Sequence, residues 1–241
     1  MKTKWMMVAG LIALCGVAQA EVIFSDKFSV DGSLNGSSAD IGGTWNVTSG
    51  NLSISGGVVD TASSYFSDSD IAFASFTRAL TANETLTLTF QTTTSSGSFS
   101  TTGWAGLSLF EKGDEKLFLG GPSYTPAWGI VGNAIGGVLK VFSPSITNAA
   151  QTAVFNYVFN TGDWNFTVNS QQISGTATAN LAFDQIRIGA DIYNYKDIAV
   201  SEINVTSAIP EPATFLLFGL GGMGAWMLRR HKAKSNVELD D

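Results

Sequence analysis

The middle of this 241-residue chain, residues 21–209, contains neither histidine nor cysteine, so carboxylates, hydroxyls, amides, Lys, Arg and aromatic side chains remain to do chemistry. The single histidine, His231, lies in a basic tail, and the single cysteine, Cys15, lies in the first apolar run. Ser-His-Asp catalysis, Cys-His catalysis and the usual zinc sites are therefore excluded from this segment. A disulfide framework is excluded as well, since it needs at least two cysteines.

The densest group of carboxylates is the stretch "EKGDE", which runs from Glu111 to Glu115. Glycoside hydrolysis needs a pair of carboxyl groups, and a strand with the pattern E-x-D-x-E places carboxylates on one face for the acid and nucleophile roles. Here Asp114 is one position out of phase, and a strand aligns side chains only at every second residue. The stretch fits a solvated hairpin turn, so we expect the protein not to be an enzyme.

Two loops bring oxygen ligands together and are candidate Ca²⁺ sites. The stretch "DGSLNGSSAD" contains Asp31 and Asp40, and the stretch "SDSD" contains Asp68 and Asp70. Asp-rich loops are also ordinary turns, because Asp and Asn side chains bond their own backbone. Both interpretations stay open, and no other cofactor is expected.

Aromatic residues in polar, turn-rich surroundings are candidate contacts for a sugar ring. Tyr124 and Trp128 lie in "GPSYTPAWG", and Tyr193 and Tyr195 lie in "DIYNYKD". An aromatic ring that stacks on a sugar must be exposed, whereas the same residues in a core serve packing alone. The sequence leaves both roles open.

Short alternating runs must position these residues. "TLTLTFQTTT" (85–94) alternates Leu or Phe with Thr, which predicts a strand. Two hairpins follow from paired runs, one turning at Lys112-Gly113-Asp114 and one at Thr161-Gly162-Asp163. Residues 21–207 show no sustained helical periodicity, so the sequence predicts an all-β antiparallel sandwich or jelly roll. The bulky residues expected mostly in its core are Phe24, Phe28, Trp45, Phe76, Trp104, Phe155 and Trp164.

Three stretches resemble concanavalin A-like, laminin-G-like jelly rolls of exported bacterial proteins. They are "FSDKFSVDGSLNGSSADIGGTWNVTSGNLSISGGVV", "WAGLSLFEKGDEKLFLGGP" and "FDQIRIGADI". The resemblance implies a jelly roll over most of the chain, and similar domains often hold a structural Ca²⁺.

The N-terminal stretch "MKTKWMMVAGLIALCGVAQAE" has the features of a secretory signal peptide over residues 1–20. Lys2 and Lys4 precede a short apolar run, and Ala18 and Ala20 stand at the −3 and −1 positions of a cleavage site. We therefore expect signal peptidase to cut after Ala20.

Near the other end, residues 213–228 form an uncharged run of 16 residues followed by Arg229 and Arg230. As a helix this run is about 24 Å long, slightly less than the roughly 30 Å hydrocarbon core. We expect a single transmembrane helix, and the positive-inside rule places the tail 231–241 in the cytoplasm.

The triplet Pro210-Glu211-Pro212 directly precedes this run. Together with the Gly-rich apolar helix and the basic end, it resembles the PEP-CTERM sorting signal over residues 208–230. The resemblance implies that an exosortase recognises this segment and processes the chain near the triplet. Two prolines also disfavour helix, which keeps the junction extended and accessible.

These features together predict an exported, non-enzymatic protein of the cell surface or extracellular matrix of a Gram-negative bacterium. Its expected role is structural or adhesive, in a biofilm and in contact with exopolysaccharide. The net charge of −7 argues against nucleic acid as a partner. A lectin with a defined glycan site is the alternative, and a glycan-active hydrolase is the third.

Overall fold

The computed structural model describes residues 20–61, 69–93, 103–123, 125–143, 150–191 and 198–209. All of them belong to one compact unit, Gln19–Ile209. The expected signal peptide up to residue 19 and everything from Pro210 onward, including the expected helix 213–228, lie outside these ranges. Inside them, no helix has the length and apolar character that crossing a membrane requires.

Strands make up most of the described chain, and a short 3-10 helix covers Asn133–Ile135. The strands are β1 (Glu21–Asp26), β2 (Gly32–Ser33), β3 (Asn46–Ser49), β4 (Ser53–Ser55), β5 (Val58–Asp60), β6 (Asp70–Ser75), β7 (Thr85–Thr93), β8 (Ala105–Glu111), β9 (Asp114–Gly121), β10 (Gly129–Val131), β11 (Lys140–Val141), β12 (Ala150–Val158), β13 (Asp163–Val168), β14 (Gln171–Thr176), β15 (Gln185–Ala190) and β16 (Ala199–Ala208).

The strands form two antiparallel sheets packed on one core. The nine-stranded sheet has the order β14-β13-β12-β7-β16-β5-β4-β2, with β1 also paired to β16. The seven-stranded sheet has the order β11-β10-β9-β8-β15-β6-β3. The predicted all-β antiparallel sandwich is therefore confirmed.

The alternation in the sequence explains which face each strand buries. In β7, Leu86, Leu88 and Phe90 are fully buried, and the threonines between them face outward. The hairpin between β8 and β9 turns at Lys112 and Gly113, whose φ angles are 53° and 83°. Two consecutive positive φ angles are the mark of a type I′ turn, so the predicted hairpin is confirmed and "EKGDE" is its tip.

Six of the seven predicted core aromatics are buried, and Trp104 is the exception. A buried carboxylate, that of Asp26, lies among them and accepts hydrogen bonds from Trp45 Nε1 at 2.7 Å and from the Phe28 N–H at 2.8 Å. Burial raises the pKa of Asp26 in spite of these bonds. Because Trp45 is itself fully buried, this pair fixes the indole in one orientation.

The first and last strands are neighbours, since β1 pairs with β16 and Glu21 lies opposite Ser207. The described chain therefore enters and leaves the sandwich at the same end. Arg78, in the connection between β6 and β7, bonds to Glu21 and shows that β6 also ends there. We call this the terminal end.

Candidate functional site

A row of four glycines crosses the outer face of the seven-stranded sheet. Strand registers place Gly189 opposite Gly106, Gly106 opposite Gly120, and Gly120 opposite Gly129. Each of them alternates with core residues, so all four face outward. Four positions without side chains on adjacent strands leave a trough in the sheet surface.

Two aromatic rings lie over this trough. A Cβ atom on Gly189 would come within 2.9 Å of the Trp104 ring, and one on Gly106 within 2.9 Å of the Phe118 ring. The two rings meet edge to face, with centroids 5.8 Å apart. The glycines are therefore needed for the rings to lie against the backbone, and Trp104 remains partly exposed there.

Arg187 lies in the adjacent row and stacks on the same indole. Its guanidinium is 4.7 Å from the Trp104 ring centroid and 5.4 Å from that of Phe110. Arg187 Nη2 donates hydrogen bonds to Ser108 Oγ at 2.7 Å and to Glu115 Oε1 at 2.8 Å. The Ser108 hydroxyl also donates to Glu115 Oε1, at 2.8 Å. The three polar side chains therefore form a closed network.

The two charges of this network differ in exposure. The Arg187 side chain is 11% exposed and that of Glu115 is 37% exposed. Burial lowers the pKa of Arg187, while the nearby Glu115 carboxylate acts in the opposite direction. Arg187 Nε is buried and has no hydrogen-bond partner within the described ranges. The charge that reaches solvent is therefore the carboxylate.

A cavity of about 410 Å³ opens above these residues. Its volume falls in the range of small-molecule sites. Its lining combines apolar and polar side chains, and the lining residues are Trp104, Glu115, Phe118, Pro122, Ser123, Val131, Leu139 and Arg187. Of the described residues that line it, Glu115 alone carries a carboxylate.

The cavity extends from the middle of the sheet toward the end opposite the terminal end. Trp104 directly precedes β8, and Pro122 directly follows β9. The paired residues Ala105 and Gly121 mark the edge of the sheet farthest from the hairpin tip at Lys112. A second cavity of about 410 Å³ lies on the same outer face toward β6 and β3 and is lined in part by Phe73 and Phe110.

The structure corrects one predicted glycan contact and reveals contacts that the sequence analysis missed. Trp128 is fully buried and packs against Phe90 and Phe166, with ring centroids 6.0 and 6.4 Å away. It alternates with the outward Gly129, so its indole points into the core, and the prediction for Trp128 is wrong. Tyr124, Tyr193 and Tyr195 lie outside the described residues.

Trp104 was expected in the core and instead lines the cavity. Arg187 and Glu115 were not singled out as contacts. The signals for them were an arginine inside an otherwise apolar strand, "QIRIGA", and glycines facing outward on its neighbours.

The predicted calcium ligands are separate where the structure describes them. Asp31 Oδ1 accepts a hydrogen bond from the Gly56 N–H, and Asp40 Oδ2 accepts one from the Lys27 N–H. Asp70 is buried, and its Oδ1 accepts one from the Asn51 N–H. Within the described ranges, no three His, Cys, Asp or Glu side chains cluster as metal ligands. Asp68 lies outside these ranges, so calcium stays a prediction.

Solved structures share the fold at low sequence identity. A botulinum neurotoxin serotype D/C binding domain has 9% identity and a TM-score of 0.54 over 76% of this chain and 48% of its own. A botulinum neurotoxin type C structure, whose title links cell entry to two ganglioside molecules, has 9% identity and a TM-score of 0.50, with 74% and 48% covered. The chain thus spans about half the length of these neurotoxin chains.

A structure from a study of endo-acting O-glycanases of the human gut microbiota has 10% identity and a TM-score of 0.52. The match spans 78% of this chain and 99% of that structure's chain. No curated protein sequence matches the chain. Identities this low show the fold alone.

The C-terminal segment has a match of its own. Residues 208–230 match the PEP-CTERM protein-sorting motif, which confirms the resemblance of Pro210, Glu211, Pro212 and the following residues to that signal. The motif marks exported proteins of Gram-negative bacteria that begin as membrane-anchored precursors and are sorted by an exosortase. The chain is therefore a jelly-roll β-sandwich that carries a PEP-CTERM sorting motif at its C-terminal end.

Proposed function

We propose that this protein is a non-enzymatic adhesive or structural protein of the cell surface or extracellular matrix that contacts exopolysaccharide in a biofilm. The observation that carries the proposal is the PEP-CTERM motif at 208–230, directly behind the folded domain. One residue, Ile209, separates the end of β16 from Pro210. Processing near the triplet would release the whole sandwich from the membrane without cutting into it.

The outer face of the seven-stranded sheet supports contact with a glycan. Sugar rings combine an apolar C–H face with hydroxyl groups, and the partly exposed Trp104 ring, backed by Phe118, offers the matching apolar surface. Glu115 and Ser123, near opposite ends of β9, offer hydrogen-bond partners along the cavity. The second cavity on the same face provides room for further units of a polymer.

The same cavity supports a role without catalysis. Glycoside hydrolysis by the common mechanisms uses two carboxyl groups about 5 to 9.5 Å apart. The described lining of the cavity provides one, Glu115, and its Oε1 is already bonded to Arg187 and Ser108. A hydrolase is accordingly not our proposal.

The second candidate is a lectin with one defined glycan site, and the ordered network of Arg187, Ser108 and Glu115 favours it. A lectin would bind saturably and be displaced by a free oligosaccharide, whereas a structural protein would be retained through many weak contacts. Both candidates use the same face, so displacement of the retained chain by a free oligosaccharide is the measurement that separates them.

The sorting part is tested by mass spectrometry of the protein from its host. We expect a mature chain that starts at Glu21 and ends near Pro210, and an intact Asp241 would contradict the sorting proposal. The binding part is tested by retention of the full-length chain on the host's own exopolysaccharide. Trp104→Ala should reduce retention at least tenfold, and Thr89→Ala, on the outer face of the other sheet, should not. No retention of the wild type would overturn this part.

A further inference from the structure

The charge exposed in the cavity limits the ligands that can enter it. Arg187 stacks on the Trp104 ring and is largely covered, and its Nη2 is already shared between Ser108 and Glu115. The guanidinium is held against the ring and only 11% of the side chain is exposed, so it presents little surface to a carboxylate or sulfate on a ligand. An anion would instead meet the more exposed Glu115 first.

The domain as a whole has the same sign. Residues 21–209 contain seven Lys or Arg residues against sixteen Asp or Glu residues, a net charge of −9. A strongly acidic domain repels polyanions over distances of about a Debye length, roughly 8 to 10 Å at ordinary salt. Neither the cavity nor the rest of the domain provides a net positive charge to balance the negative charge of an acidic sugar.

The network also leaves an acceptor available. Glu115 Oε1 accepts the two bonds described above, and the carboxylate is partly exposed in the lining of the cavity. A carboxylate oxygen that is free to accept binds the hydroxyl groups of a sugar well. Because Arg187 balances the charge of Glu115, an uncharged ligand avoids the repulsion that an anion meets and needs no counter-charge.

Building on the function proposed above, we infer that this cavity selects neutral glycans, whose hydroxyl groups donate to Glu115 and whose C–H faces pack on Trp104. Uronate-bearing, sialylated and sulfated glycans are excluded by the exposed carboxylate. The selection comes from the difference in exposure between Arg187 and Glu115. It does not come from the net charge of the pair, which is zero.

The test is an array of neutral, uronate-bearing, sialylated and amine-bearing oligosaccharides probed with the full-length chain. We expect binding to neutral members only. Glu115→Gln keeps an oxygen for Arg187 and Ser108 but removes the negative charge, so the ratio of anionic to neutral binding should rise at least tenfold. Thr89→Ala is the matched control and should leave the ratio unchanged.

The array distinguishes failure of this inference from failure of the proposed glycan binding. Preference of the wild type for anionic or amine-bearing members would overturn this inference and leave glycan binding standing, whereas absence of binding to every member would overturn the proposed binding itself. If Glu115→Gln does not fold, the wild type alone still tests the inference through salt. Its affinity for a neutral member should stay within twofold between 0.05 and 0.5 M NaCl, and a steep loss would contradict it.

Discussion

Two Arg–Glu pairs, one at the terminal end and one under the cavity, are built in opposite ways. At the terminal end Arg78 holds both oxygens of Glu84, with Nη2 to Oε1 at 2.7 Å and Nη1 to Oε2 at 3.0 Å, and also bonds Glu21. Here the carboxylate of Glu84 is the buried member, at 6% exposure, and the arginine is 33% exposed. In the cavity pair the arginine is the less exposed member, at 11%, and the carboxylate is 37% exposed.

The pKa values follow this difference. Burial raises the pKa of Glu84, but hydrogen bonds from Arg78 and Thr81 outweigh it and lower the value to about 2. The pKa of Arg78 is raised, first by its bonds to Glu84 and Glu21. Burial lowers the pKa of Arg187, which bonds through one nitrogen. The first pair is saturated and serves stability, whereas the second is incompletely bonded, as expected where a ligand completes a site.

The largest effect is expected from Arg78→Met. It leaves the buried Glu84 carboxylate without its partner, which should lower the free energy of unfolding by about 3 to 4 kcal/mol at pH 7. Urea denaturation followed by tryptophan fluorescence measures this. A loss below about 1 kcal/mol would show that the terminal pair is not the stabilising one and would remove the contrast.

Acid should weaken the same pair. The folded-state pKa of Glu84, about 2, lies below its ordinary value of 4.5. The stabilisation is therefore present above pH 4.5 and is lost as the pH falls toward 2, by up to about 3 kcal/mol. Denaturation curves between pH 2 and 6 should show this slope, and Glu84→Gln should flatten it. An unchanged slope in the variant would show that other groups cause the loss of stability at low pH.

A smaller effect is expected where the aromatic rings beside the cavity pair lie against glycine. A Cβ on Gly106 would approach Leu119 O to 2.3 Å and the Phe118 ring to 2.9 Å, so Gly106→Ala must displace backbone or ring. Overpacking of this kind costs about 1 to 3 kcal/mol. Thr89→Ala on the outer face of the nine-stranded sheet should stay within about 0.5 kcal/mol. Equal changes in melting temperature for the two variants would mean that the glycine trough is not needed for stability.

The two sheets differ in how far the sequence predicted them. The nine-stranded sheet follows simple alternation, as in "TLTLTF", and its outer face is made of polar side chains that bond across strands, such as Thr87 to Asn156 at 2.7 Å. Period-two patterns identify such strands directly. The strand β8, with six of seven residues buried, does not alternate in burial, because rings and Arg187 cover its outer face.

The candidate site escaped prediction for the same reason. The glycine row exists only once β8, β9, β10 and β15 are placed side by side in register, and the sequence does not give register between distant strands. Trp104 and Trp128 are both tryptophans in Gly-rich stretches, so local composition could not tell the exposed one from the buried one. The sorting motif was predictable because its signals are contiguous.

Of the two Arg→Met variants, Arg187→Met is expected to change stability far less, and it gives the sharpest contrast. Removal of one member of an ion pair is costly when the remaining charge is buried, but Glu115 is 37% exposed and water can solvate it, while the desolvation cost of Arg187 disappears. The free energy of unfolding should change by less than about 1 kcal/mol, against 3 to 4 for Arg78→Met. Ligand binding should still suffer, because Glu115 then carries an unbalanced charge and loses the donor that orients it. A large loss of stability with unchanged glycan binding would mean that the cavity pair is structural, like its counterpart at the terminal end.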